Sequence, residues 1–93
     1  MSPRYELVVK AQARRALAEV LAPSIAFAVW KFISGPLREN PQRLGKPLVA
    51  PFQGDWSARR GHYRIRFRIV EEKHQVVVMG VAARSDVYDP GRV

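Results

Sequence analysis

The order of hydrophobic and polar positions divides the chain into a helical first half and an alternating second half. Residues 5–9 are rich in strand-forming types and predict a β-strand. Residues 10–21 are almost all strong helix formers and predict a helix. Pro23 suits the first turn of a second helix, in which apolar side chains recur at helical spacing to about Ser34. The two helices are therefore predicted to form a hairpin.

Glycine and proline mark the end of this helical half. Gly35-Pro36 is predicted to break the second helix, with residues 37–39 adding one further turn. Asn40-Pro41 is predicted to close the helical half, and residues 42–48 form a polar connection.

In the second half the hydrophobic period changes from helical to alternating. Residues 52–59, 62–70 and 75–83 predict three consecutive antiparallel strands, with turns at Arg60-Gly61 and at residues 71–74. If the first strand joins the same sheet and both helices cover one face, the chain is an α+β fold, a two-layer β-α-α-β-β-β domain. The 93 residues leave room for one core, so residues 1–93 are expected to be a single domain. The uncovered face of the sheet must then meet solvent or a ligand.

The charge of the chain narrows the class of partner. There are 16 Lys and Arg residues against 8 Asp and Glu residues, a formal charge of +8. A charge of this size on a short chain attracts polyanions, and nucleic acid leads the expected partners. A merely solubilising surface, anionic lipid and an acidic protein partner remain open alternatives.

Several kinds of chemistry find no support in the sequence. The chain has no cysteine and only two histidines, and its acidic residues lack the paired spacing of a magnesium nuclease. We therefore expect no metal site and no cofactor. No apolar run approaches the roughly 20 residues that span a bilayer, and the first residues lack the apolar stretch of a signal peptide. A cytoplasmic location without membrane contact is the expectation.

Residues 62–70 are the most informative segment. In a strand, Arg64, Arg66 and Arg68 share one face, at a spacing of about 6 to 7 Å that is close to the phosphate repeat of an extended nucleic acid strand. This pattern predicts a surface that follows phosphates. The alternative is an ordinary solvated face whose arginines pair with acids on neighbouring strands, of which Asp55 is the obvious one.

Arginines from distant positions are predicted to converge on this open face. Arg59 and Arg60 lie at the turn into the strand, and Arg84 follows the last strand. Arginine binds phosphate in bidentate fashion but does not transfer protons readily. Tyr88 is the candidate for proton transfer, and packing is the alternative role for its ring.

The two tryptophans are candidates for stacking on bases. Trp30 falls in the helical half and is expected in the core. Trp56 is the better stacking candidate, although packing is again the alternative.

Taken in order, four short motifs make the chain resemble a known family. The motifs are Asn40-Pro41, Leu44-Gly45-Lys46-Pro47-Leu48, Gly61-His62-Tyr63-Arg64 and Arg84-Ser85-Asp86-Val87-Tyr88. With this set the chain resembles the RelE/ParE superfamily of toxins from type II toxin–antitoxin systems, and its RelE branch in particular. The resemblance runs from about Tyr5 to Tyr88.

The resemblance implies helices packed on an antiparallel sheet and an acidic antitoxin, RelB-like or Phd/YefM-like, that covers the basic face. The RelE branch implies a metal-independent endoribonuclease whose partners are the ribosome and mRNA. In that branch the 2′-hydroxyl attacks the adjacent phosphate, basic side chains stabilise the developing charge, and a tyrosine near the C-terminus aligns or activates the nucleophile.

Carried onto this sequence, the resemblance implies catalytic roles for three residues: Arg64, Arg84 and Tyr88. RNA contacts are expected from Lys46, Trp56, Arg59, Arg60, Arg66 and Arg68. The chain also departs from the family: Ala82 stands where some members have a basic residue, and lysines of some mRNA-cleaving members fall near Asp55 and Ser57. Two other functions stay open, a ParE-like toxin that inhibits DNA gyrase without cutting RNA, and a degenerate member that only binds its antitoxin.

Overall fold

The computed structural model describes residues 4–83, which form a helical hairpin packed on one face of a five-stranded sheet. The elements in chain order are β1 (Glu6–Val9), α1 (Ala11–Arg15) with a π-helical turn (Ala16–Val20), α2 (Pro23–Phe32) with a π-helical turn (Ile33–Leu37), α3 (Pro41–Leu44), β2 (Lys46–Pro47), β3 (Trp56–Arg60), β4 (Tyr63–Val70), a 3-10 turn (Glu71–Lys73) and β5 (Gln75–Ala83). The predicted α+β fold is confirmed.

The strands lie in the order β1-β5-β4-β3-β2. Strands β2, β3, β4 and β5 pair in antiparallel fashion, as predicted for the second half. Strand β1 pairs with β5 in parallel, with Leu7 opposite Val76 and Val9 opposite Val78, so the sheet is mixed. A parallel pair needs a long crossover connection. Here all the other elements lie in that connection, because β1 is the first and β5 the last element of the described residues.

The core lies between the helical hairpin and the sheet. Ile33 and Leu37 from the end of the second helix, and Ile65 and Phe67 from β4, are fully buried. Val76, Val78 and Val81 of β5 complete the sheet side of this cluster. Alternate residues of β4 therefore face the helices, which leaves Arg64, Arg66 and Arg68 on the opposite face.

The prediction that Gly35-Pro36 breaks the second helix is wrong. The backbone passes through both residues in a π-helical turn, and Asn40 N–H donates to Pro36 O at 3.0 Å. Pro36 has no N–H to donate, and a local π turn is one way for a helix to accommodate such an interruption. The continuation also brings Leu37 into the core on the face of Ile33, four residues earlier.

The predicted boundaries of the first antiparallel strand are shifted. Strand β3 begins at Trp56 and includes Arg60, so the turn lies at Gly61, whose φ is +63°, and at His62. Residues 52–55 form turns instead, in which Asp55 N–H donates to Phe52 O at 3.0 Å. The predicted connection over residues 42–48 contains α3 in part and the short edge strand β2.

Across residues 4–83, no helix combines the length and the apolar character that crossing a membrane requires.

Candidate functional site

The face of the sheet opposite the helices carries cations from three strands. Arg64 of β4 lies directly opposite Arg59 of β3, and Arg66 lies opposite Ser57. Ser57 in turn lies opposite Lys46 of β2. Residues directly opposite each other in a sheet share a face. Lys46, Arg59, Arg64, Arg66 and Arg68 therefore lie on one surface, which we call the basic face.

Asp55 neutralises one end of the basic face. Arg68 Nε and Nη2 donate to Asp55 Oδ1 at 2.9 and 2.7 Å. Arg66 Nε lies 3.6 Å from Asp55 Oδ2. The Asp55 side chain is only 8% exposed, so this carboxylate is an integral part of the fold. The alternative in which the arginines of β4 pair with Asp55 thus holds for Arg66 and Arg68. The pair of Arg59 and Arg64 lies towards the other end of β4.

Arg66 is held between two groups. Its guanidinium carbon lies 5.5 Å from the centroid of the Phe52 ring, within the range of a cation–π contact. With Asp55 near its Nε, the Arg66 side chain is only 34% exposed. The turn at residues 52–55 therefore supplies both contacts that fix this arginine. Sequence reasoning did not identify Phe52, because its prediction as a strand residue hid the turn that brings it back over the sheet.

Ser57 lies in the cross-strand row between Lys46 and Arg66, where its hydroxyl is buried. Within residues 4–83 its Oγ has no hydrogen-bond partner. A buried hydroxyl without a partner is costly, by about 1–3 kcal/mol, and such groups call for an explanation. The two cross-strand neighbours of Ser57 on this face, Lys46 and Arg66, are both cationic.

Two residues expected on the basic face lie on its reverse. Arg60 is opposite Tyr63, and Trp56 is opposite Phe67, so both share the face that carries the core. The Trp56 ring packs against the Phe67 ring, with centroids 6.3 Å apart and an interplanar angle of 26°. Arg60 belongs to β3 and not to the turn. Trp56 and Arg60 are four residues apart in this strand, so alternation places both on the same face. Neither side chain joins Arg64 at the basic face.

The predicted residues Arg84 and Tyr88 lie outside the described residues. The described part of β5 places Ala82 opposite Arg64 and Ala83 opposite Tyr63. Within residues 4–83, no group of three or more His, Cys, Asp or Glu side chains is arranged to hold a metal ion.

Comparison with known proteins identifies the family. No protein-family model matches the chain. Two curated proteins of Mycobacterium tuberculosis, Toxin RelE and Toxin RelG, are each 43% identical to it over 84 residues. The alignments cover 90% of this chain, 86% of Toxin RelE and 95% of Toxin RelG. The chain belongs to the RelE family of toxins. The membership expected from the ordered motifs is confirmed.

Solved structures agree with this assignment. The RelE-family toxin described here is similar to a chain in the crystal structure of the toxin–antitoxin complex RelBE2 from M. tuberculosis, with a TM-score of 0.82 and 41% identity over 88% of this chain and all of that one. The isolated RelE toxin of E. coli has a TM-score of 0.68 at 21% identity, with 94% of each chain covered. This second similarity concerns the fold alone.

Proposed function

We propose that this RelE-family toxin cleaves messenger RNA in the A site of the ribosome, without a metal ion. The observation that carries the proposal is the cross-strand pair of Arg59 and Arg64 on the open face of the sheet. Two arginines at paired positions of neighbouring strands offer several donors to the oxygens of one phosphate or of two successive phosphates. Family membership supports RNA as the source of those phosphates.

In the proposed reaction, the 2′-hydroxyl oxygen attacks the adjacent phosphorus and gives its proton to a general base. The bond from phosphorus to the 5′-oxygen of the next nucleotide breaks, and this oxygen takes up a proton. The products are a 2′,3′-cyclic phosphate and a free 5′-hydroxyl. Negative charge grows on the non-bridging oxygens in the transition state, and preorganised donors stabilise it. We assign this role to Arg64, with Arg59 as the second donor.

The resemblance assigns the remaining catalytic roles to residues outside the described part of the chain. Tyr88 is proposed to align or activate the 2′-hydroxyl, and Arg84 to add positive charge near the phosphate. Lys46 and Arg66 lie opposite Ser57 on its two sides, and we propose that their side chains contact phosphate oxygens of the bound strand. These side chains are proposed to hold the RNA on one side of the scissile phosphate.

We further propose that an acidic antitoxin of the RelB type silences the toxin. The formal charge of +8 favours an acidic partner. The M. tuberculosis structure with 41% identity is that of a toxin–antitoxin complex. An antitoxin that covers the basic face would compete directly with RNA for Arg59 and Arg64.

Primer extension on cellular mRNA after brief induction of the toxin tests the proposed cleavage. We expect new 5′ ends inside coding sequences, in phase with codons, because the ribosomal A site presents one codon at a time. Induction that stops growth while mRNA stays intact would contradict the proposal.

A second candidate function is a ParE-like toxin that inhibits DNA gyrase. The observation that favours it is the Asp55 carboxylate, which neutralises Arg66 and Arg68 near positions where some mRNA-cleaving relatives carry lysines. Gyrase trapped on DNA in cells whose mRNA remains intact would support this function and replace the first.

A further inference from the structure

A second basic surface lies on the helix side of the sheet, next to the open end of β3. It is an open groove of about 730 Å³, which we call the helix-side groove, and it is lined by Phe27, Lys31, Phe32, Pro36, Arg59 and Arg60, among others. Arg60 faces this groove because it follows Arg59 in β3 and points to the opposite face.

The chemistry of the helix-side groove suits a polyanion with flat rings. Three of the residues that line it, Lys31, Arg59 and Arg60, are cationic, and within the described part of the chain none of the residues that line it is acidic. Phe27 is 64% exposed, and Lys31 Nζ lies 5.6 Å from the centroid of its ring. Cations beside an exposed aromatic ring are the combination by which proteins bind single-stranded nucleic acids, with phosphates on the cations and bases on the ring.

The helix-side groove is continuous with the basic face. Arg59 belongs to both, because it lines the groove and lies opposite Arg64. Strand β2 pairs with β3 only at Trp56 and Ser57, so over residues 4–83 no strand covers the edge of β3 from Ala58 to Arg60. A nucleic acid strand on the basic face therefore meets an uncovered edge and, beyond it, the groove.

We propose that the helix-side groove binds the phosphates of RNA that continues from the basic face around the open end of β3. Arg59 contacts the RNA where it turns around the edge of the sheet. Arg60 and Lys31 bind the phosphates beyond this edge, and Phe27 stacks on a base. The inference rests on the proposed function, since it takes RNA as the ligand of the basic face. It adds a binding site on the other face of the sheet, next to the phosphate that Arg64 binds.

Binding of RNA of two lengths by the purified toxin tests this site. The probes are single strands of about 4 and about 12 nucleotides with 2′-O-methyl groups throughout, which cannot be cleaved by attack of the 2′-oxygen. The double variant Lys31→Gln/Arg60→Gln removes two phosphate contacts. For the long RNA, the slope of log K against log salt should become shallower by about 1.4, at about 0.7 per lost contact. Binding of the short RNA should be unchanged.

The matched control is the double variant Lys10→Gln/Lys73→Gln, which removes the same charge from two exposed positions that do not line the groove. We expect this control to keep the wild-type slope for the long RNA. Equal slopes for the two double variants would overturn the proposal, because the effect would then reflect net charge alone. Wild-type protein that binds both RNA lengths with the same slope would overturn it as well.

Two further measurements distinguish RNA binding in the helix-side groove from antitoxin binding there and from failure of the proposed cleavage. If Lys31→Gln/Arg60→Gln weakens binding of the antitoxin and leaves the RNA slope unchanged, the groove belongs to the protein partner and the proposal is overturned. Failure of the proposed function shows in a different measurement, the cleavage of ribosome-bound mRNA, in which wild-type protein would produce no breaks. The oligonucleotide slopes do not depend on cleavage, so the two failures are distinguishable.

Discussion

At the scale of single residues, Asp55 decides how much of the arginine line on β4 remains available for an anionic ligand. Its buried carboxylate accepts two hydrogen bonds from Arg68 and lies 3.6 Å from Arg66 Nε. A buried carboxylate is stable only when it is paired, so Asp55 and these arginines stabilise each other. The carboxylate also lowers the positive potential that an approaching phosphate meets at this end of the basic face.

Asp55→Asn tests this balance. The substitution keeps the shape of the side chain and removes its charge, so we expect tighter RNA binding with a steeper dependence on salt. We also expect a loss of about 1 to 3 kcal/mol in the free energy of unfolding, since a buried charge-assisted contact is weakened. Anisotropy titration and denaturant unfolding measure the two effects.

The control for Asp55→Asn is Glu72→Gln, which makes the same change of charge at an exposed position in the 3-10 turn. RNA affinities that rise equally in the two variants would show that net charge, and not the release of Arg66 and Arg68, is responsible.

Arg64 and Tyr88 are proposed to do different work, and their substitutions should differ accordingly. Arg64→Ala removes donors that strengthen as charge develops, so we expect cleavage of ribosome-bound mRNA to slow by roughly two to three orders of magnitude. Tyr88→Phe removes only a hydroxyl, so we expect a loss of roughly 100-fold with the fold and antitoxin binding retained. A Tyr88→Phe protein that cuts at the wild-type rate would leave the phenol with a packing role alone.

Residue placement could be predicted from the sequence only as far as the strand boundary was right. The alternation of residues 62–70 was enough to place Arg64, Arg66 and Arg68 on the face away from the core. Arg60 was assigned to a turn and therefore to the wrong face, since one added strand residue points it to the helices. The Asp55 pairing was open in the sequence, because it depends on how a turn returns over the sheet.

At the scale of elements, side-chain packing in the core can offset the local propensity of a residue to break a helix. Gly35-Pro36 is a strong helix breaker by propensity, yet the helix continues and brings Leu37 into full burial. By helix propensity Gly and Pro together cost about 4 kcal/mol. Burial of Leu37 contributes about 1.5–3 kcal/mol, so it offsets much of that cost, and the π-helical turn accommodates the missing N–H of Pro36. The hairpin, the strand order along the second half and the open face followed from periodicity, because the hydrophobic pattern itself decides them.

Two glycines provide a matched pair of tests at the junctions of elements. A Cβ on Gly45, between α3 and β2, would lie 2.5 Å from Phe67 Cζ and 3.1 Å from Pro41 O. Gly45→Ala should therefore destabilise the fold by about 1 to 3 kcal/mol, because the Phe67 ring is fully buried and has little room to shift. Denaturant unfolding measures the change.

Gly35→Ala is the counterpart, since a Cβ at this position would meet nothing within 4 Å. We expect it to be neutral or to stabilise by up to about 1 kcal/mol, as alanine restricts the unfolded chain. If Gly45→Ala were as stable as Gly35→Ala, the Phe67 ring would have room to move away from a Cβ at position 45.

At the scale of the whole molecule, the charge of +8 governs encounter with partners more than it governs the fold. We expect the association rate with an acidic antitoxin to fall steeply as salt rises, while the dissociation rate changes little. Stopped-flow mixing at several salt concentrations measures both rates. An association rate that does not depend on salt would exclude the basic face from the encounter.

The position of β5 between β1 and β4 has a consequence for the order in which the toxin folds during its synthesis. Strand β5 joins β1 to the rest of the sheet, so β1 has no partner within the sheet until Gln75–Ala83 has been synthesised. Contacts between such distant parts of a chain form late, because the loop between them must close first. A nascent toxin is therefore unable to complete its sheet while most of it is being translated. Under the proposed function, a toxin that cannot complete its sheet before β5 is synthesised would be unable to act earlier on the ribosome that makes it.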